Sequence, residues 1–83
     1  MKTSTVSFAH LRRLLLHLGF LESRPKRNWR FEHPASGADF LFRPYALDDS
    51  VSVPDLASTR THLDWRGLLS ATAFDDSLTK TPA

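Results

Sequence analysis

The stretch Asn28-Trp29-Arg30-Phe31-Glu32-His33 alternates at a period of two, the signature of a half-buried strand. Trp29, Phe31 and His33 share one face, and Asn28, Arg30 and Glu32 share the other. Working outward, Pro25-Lys26-Arg27 reads as a turn and residues 20–24 as the partner strand. On the other side, His33-Pro34-Ala35-Ser36-Gly37 reads as a second turn. A third strand follows over residues 39–43, with Phe40 and Phe42 on one face, and Pro44 ends it because proline cannot donate to a ladder. Connections this short make the sheet antiparallel.

Helical spacing flanks the strands. Phe8, Leu11, Leu15 and Leu18 form an apolar stripe, widened by Leu14, that predicts a helix over residues 8–18. Ser7 suits its N-cap and Gly19 its left-handed stop, with Phe20 folding back onto the last turn. Leu16 falls outside the stripe. Residues 46–52 read as a polar connection. A second helix is expected from about Ser52 to Trp65, with Pro54 tolerated and Asp55 favoured in its first turn, and Gly67 as its stop. Leu56 and Leu63 share its inner face, with Ala57 and Arg60 beside them. Ser70 caps a short helical turn that runs through Phe74 to about Leu78, and residues 79–83 read as a frayed end. The expected fold is α+β, with two helices on one face of a three-stranded antiparallel sheet in the order α-β-β-β-α and Arg30 on the open face.

Length and composition set the bounds. With 83 residues and 41% hydrophobic content, the chain reads as one domain over 1–83, its core at about 7–78. A domain this small buries only about 60% of its unfolded surface, and its stability should be about 4–12 kcal/mol. A large enzyme with a separate cofactor-binding domain is excluded. The absence of cysteine excludes a disulfide scaffold, a thiolate nucleophile and a cysteine zinc site. Leu14-Leu15-Leu16 is too short to cross a membrane. After the start Met1-Lys2-Thr3-Ser4, Arg12 and Arg13 interrupt what would be the apolar part of a signal peptide, so a soluble cytoplasmic protein without a membrane partner is expected.

Little in the chain suggests catalysis. Gly19, Gly37 and Gly67 stand singly in turns, so there is no phosphate-cradling loop and no cofactor is expected. His10 and His17 lie two helical turns apart, about 10 Å, too far to share one metal. No serine sits in a nucleophile elbow. Asp48-Asp49 and Asp75-Asp76 fit solvated turn or cap positions better than a general acid–base pair.

Charge is more informative. The formal net charge is +2, but residues 1–45 carry eight basic and three acidic groups, whereas residues 46–83 carry three basic and six acidic ones. Arg24, Lys26, Arg27 and Arg30 crowd into one hairpin. Such a cluster suits a polyanion such as RNA: the four cations hold phosphates, and Asn28 meets a ribose hydroxyl or base edge. Trp29 either stacks on an unpaired base or, by its parity with Phe31, lies at the core edge. The basic residues fit a solvated hairpin as well.

The run His10-Leu11-Arg12-Arg13-Leu14-Leu15-Leu16-His17-Leu18-Gly19-Phe20, the basic hairpin, and Phe31-Glu32-His33-Pro34 resemble the HicA (YcfA-like) family. Val53-Pro54-Asp55-Leu56 and Leu63-Asp64-Trp65-Arg66-Gly67-Leu68 resemble its second helix and stop, so the likeness covers about residues 8–69. The resemblance implies a double-stranded-RNA-binding-domain-like fold and a bacterial or archaeal mRNA-cleaving toxin, neutralised by a HicB-like antitoxin. It also implies a catalytic histidine in a Gly-Ser-His segment three residues before Phe31. Here that segment is Lys26-Arg27-Asn28, and an amide cannot take a proton near pH 7. The expectation is therefore an RNA-binding module with no catalytic residue. The alternatives are an active interferase using His33 or another group not identified from the sequence, and a protein-interaction module that accepts a partner protein or strand.

Overall fold

The computed structural model describes residues 6–79; the chain start Met1-Lys2-Thr3-Ser4 and residues 80–83 of the expected frayed end lie outside them. Ser7 opens α1 (Phe8–His17) by accepting the His10 N–H on its hydroxyl. The carbonyls of Asp49 and Leu47 accept from the Phe8 and Ala9 N–H groups, both at 2.8 Å. First-turn donors that a helix leaves unpaired are thus met by the loop that later passes beside it. At the other end Gly19 takes φ +99°, a left-handed value that a side chain would strain. Gly19 and Phe20 donate to the carbonyls of Leu16 and Leu15. This double closure turns the chain and returns Phe20 to the core.

The sheet follows the chain. β1 (Leu21–Ser23), β2 (Trp29–His33) and β3 (Ala38–Phe42) are antiparallel in the order β1-β2-β3. Trp29 lies opposite Phe42 and Phe31 opposite Phe40, so four aromatic rings share the inner face. Leu21, Ser23, Arg30, Glu32, Asp39 and Leu41 occupy the outer one, as alternation requires.

Helices cover the inner face. Phe8, Leu11 and Leu15 of α1 are fully buried there, with Leu63 of α2 (Val53–Trp65). Ser52 caps α2 by accepting from the Asp55 N–H. Leu56 is only half-buried, and Thr59 holds the deeper position at 1% exposure. Its hydroxyl donates to the Asp55 carbonyl at 2.8 Å, which satisfies a polar group that burial would otherwise penalise. The expected C-terminal turn is a nine-residue helix, α3 (Ala71–Thr79), which buries Phe74 and Leu78 against the same core.

The expected polar connection is less free than its composition suggests. Tyr45 and Val51 are buried, the Val51 N–H donates to the Val6 carbonyl, and Ser7 and Ser50 form an isolated antiparallel bridge. The Tyr45 hydroxyl accepts from the Ser52 N–H and donates to Asp55 at 2.6 Å, joining the loop to the start of α2. Among the described residues no helix is long and apolar enough to cross a membrane. Leu63→Ala should cost about 2–5 kcal/mol, transfer loss and cavity together. Urea unfolding should then show a lower midpoint at an unchanged slope.

Candidate nucleic-acid interface

Pro25–Arg27 forms one 3₁₀ turn between β1 and β2, closed by the Asn28 N–H donating to the Pro25 carbonyl at 2.9 Å. Two consecutive non-glycine residues take left-handed backbone, Lys26 at φ +52° and Arg27 at φ +73°. Each costs about 1–2 kcal/mol relative to right-handed geometry. Both side chains are exposed.

Arg24 holds this turn. Its Nε donates to the Asn28 carbonyl at 3.2 Å and its Nη2 to the Arg27 carbonyl at 2.7 Å. The same guanidinium lies 3.7 Å from the centroid of the Trp29 ring. Trp29 in turn is 6% exposed, packs 4.9 Å from the Phe8 ring, and donates its indole N–H to the Tyr45 carbonyl at 2.9 Å. Between the two expectations for this residue, the structure places it in the core. No face is left for stacking on a base, because Arg24 already occupies the outer side. Arg12 also lies near the indole, 5.8 Å from its centroid, and pairs with Glu22.

Arg30 projects from the open face, but carboxylates surround it. Its Nε and Nη2 donate to the two oxygens of Asp39 at 3.2 and 2.9 Å, and Glu32 lies 3.2 Å away. The hydrogen bond to Asp39 and then the charges of Asp39 and Glu32 raise its pKa above the ordinary guanidinium value. A cation whose folded pKa is raised keeps its contribution through the neutral range, while its carboxylate partners are charged, and loses it on the alkaline side only in strongly alkaline solution. One cation between two carboxylates leaves this part of the sheet with a net negative charge, unsuited to phosphate. The half-buried Asn28 lies at the junction of turn and strand.

Of the five proposed RNA contacts, then, the hairpin brings Lys26, Arg27 and Asn28 together at its tip. Arg24 lies beneath them and Arg30 on the open face of the sheet. Elsewhere Arg43 pairs with Asp55 at 3.8 Å, Arg60 with Asp75 at 3.0 Å, and Arg66 donates to the Ser36 carbonyl at 2.8 Å. Among the described residues, the cations without such a partner are Arg13 on α1 and the adjacent pair Lys26 and Arg27.

His33 lies at the opposite end of β2. It stands five positions from Asn28, about 17 Å of extended strand. Its ring packs against Phe20 with centroids 5.1 Å apart, and its Nδ1 shares a 2.8 Å hydrogen bond with the Ser36 hydroxyl. That hydroxyl also accepts from the Ala38 N–H, so His33 braces the second turn. Among the described residues no cluster of three or more His, Cys, Asp or Glu residues is placed to hold a metal.

Counting charges along the chain overlooks two partnerships. Glu32 shares a face with Arg30 by parity, and Asp39 lies opposite Glu32 by register, so the strand pattern carries a signal for the Arg30 pairing. The Arg24 contacts have no such signal, because they depend on the left-handed turn. The chain matches no family model, no curated protein and no solved structure significantly. Lys26→Gly should stabilise the fold by about 0.5–1 kcal/mol, since relief of left-handed strain exceeds glycine's entropy cost. The check is an upward shift of the thermal midpoint.

Proposed function

We propose that this chain is a HicA-like RNA-binding module that holds phosphates through Lys26 and Arg27 and does not cleave the strand it binds. The observation that carries the reading is the pair of adjacent, exposed cations at the hairpin tip, held in strained backbone and lacking a carboxylate partner among the described residues. Most of the arginines in the described residues are bound to carboxylates or carbonyls of the chain itself. A pair of cations kept out of such contacts is available to an anionic partner. Asn28 follows directly and offers an amide to a ribose hydroxyl or base edge. With Trp29 buried, recognition rests on the phosphate backbone, which makes affinity salt-dependent and tolerant of sequence.

The resemblance and the position of His33 both support a module that does not cleave. Asn28 stands where the resemblance places the catalytic histidine, and an amide is no base. His33 lies a strand's length from the tip and is bonded to Ser36, which argues against its acting on a ribose held by Lys26 and Arg27. A second reading is a protein-binding module, supported by Leu21 and Leu41, which are 60% and 64% exposed on the open face. A HicB-like antitoxin is the partner that the resemblance implies for it.

Titration against labelled RNA at several salt concentrations tests the proposal. The expected result is saturable binding that weakens as salt rises, with intact RNA. Lys26→Glu together with Arg27→Glu should reduce affinity at least tenfold, whereas Arg30→Ala should leave it within about twofold. Cleaved RNA would restore the interferase reading, to be checked with His33→Ala. No RNA affinity, with salt-insensitive capture of a protein, would favour the second reading.

A further inference from the structure

We infer that Arg24 is not a phosphate ligand but the positioning residue of the interface, the group that holds Lys26 and Arg27 ready for an anionic partner; this rests on the RNA-binding reading above. Sequence position alone counts Arg24 as one of four equivalent cations. The structure commits the Nε/Nη2 side of its guanidinium to the chain itself. Nε and Nη2 are bonded to the carbonyls of Asn28 and Arg27, and the planar face rests 3.7 Å from the Trp29 ring centroid. A phosphate could take the Nε/Nη2 edge of Arg24, the side-on edge that grips an oxyanion with two bonds, only by breaking these contacts.

The same contacts account for a turn that is otherwise hard to explain. Adjacent left-handed residues favour glycine or asparagine, yet this chain has lysine and arginine there. Strained backbone persists where its surroundings over-determine it. Here the over-determination is visible. The Arg27 and Asn28 carbonyls are fixed by one rigid fork, and the fork is fixed by an indole that is itself bonded to Tyr45 in the core. Lysine would supply the charge but neither the fork nor the stacking plane. Order flows outward from the core through Trp29 and Arg24 to the two exposed cations, which lowers the entropy that binding must overcome.

The experiment compares Arg24→Lys, Arg24→Ala and Arg27→Ala with the unaltered chain, reading RNA affinity across a salt series. Each direct phosphate contact contributes about 0.7–0.9 to the slope of log affinity against log salt. The inference expects Arg27→Ala to reduce the slope by that amount. Arg24→Lys should weaken binding about tenfold with the slope unchanged, although charge is retained. In the absence of RNA, both Arg24 variants should be cleaved by trypsin after Lys26 and Arg27 at least tenfold faster, with circular dichroism confirming that the domain remains folded. Full affinity in Arg24→Lys combined with a reduced slope in Arg24→Ala would make Arg24 a direct contact and overturn the inference alone. Unchanged trypsin cleavage would also overturn it. No RNA binding by the unaltered chain would instead overturn the phosphate-binding reading, and the recognition role of Arg24 with it.

Discussion

The ring of Phe8 is the contact on which the architecture depends. It is fully buried and lies within 4.9–6.2 Å, centroid to centroid, of Trp29, Phe31, Phe42 and Tyr45. Three parts of the chain meet on it: the first turn of α1, the inner face of the sheet, and the loop leading to α2. Tilted, edge-on and stacked pairings of this kind add to the gain from area alone. In a domain of 83 residues, where little surface can be buried, one ring that joins helix, sheet and loop carries an unusual share of the cohesion. Trp29 takes its position from Phe8, and the hairpin tip takes its order from Trp29.

Charge is arranged on the outside by the same frame. The outer face of the sheet brings Arg30, Glu32 and Asp39 together through strand register, and they satisfy one another. The hairpin tip extends past the end of that register, where no carboxylate among the described residues pairs with it. A basic cluster that looks uniform along the chain is thus divided in space. One part is internally neutralised, one part is structural, and two residues remain for solvent or ligand.

The fold was largely legible because each element carries a local cause. Alternation at residues 29–33 places Trp29 and Phe31 inward, Ser7 and Ser52 cap their helices, and Gly19 with Phe20 closes α1. Reading fell short where the cause was tertiary. The terminal helix falls at Ala71–Thr79, close to the expected bounds, but propensity does not register that Phe74 and Leu78 reach the core. Thr59 replaces Leu56 at the deep position of α2 because its hydroxyl has a carbonyl within reach. At the candidate site, composition and spacing identify the hairpin but not the division of labour within it. Parity favours a core position for Trp29, and packing on Phe8 decides it; Arg30 is placed only by register, and Arg24 only by a backbone conformation that lysine and arginine seldom adopt.

The order of the sheet has a consequence for how the chain reaches this structure. Because β1, β2 and β3 neighbour one another in sequence and in space, both strand pairings close over turns of a few residues. Short closures of this type form on a microsecond scale and lose little chain entropy. The distant closures include the Ser7–Ser50 bridge, the packing of Tyr45 on Phe8, and the His10 side chain donating to the Ser77 carbonyl. A natural order of assembly follows, with hairpins first and the two ends of the chain last. Phe8 joins α1 to Tyr45 across one of these long closures, so its packing rewards a loop that chain entropy opposes.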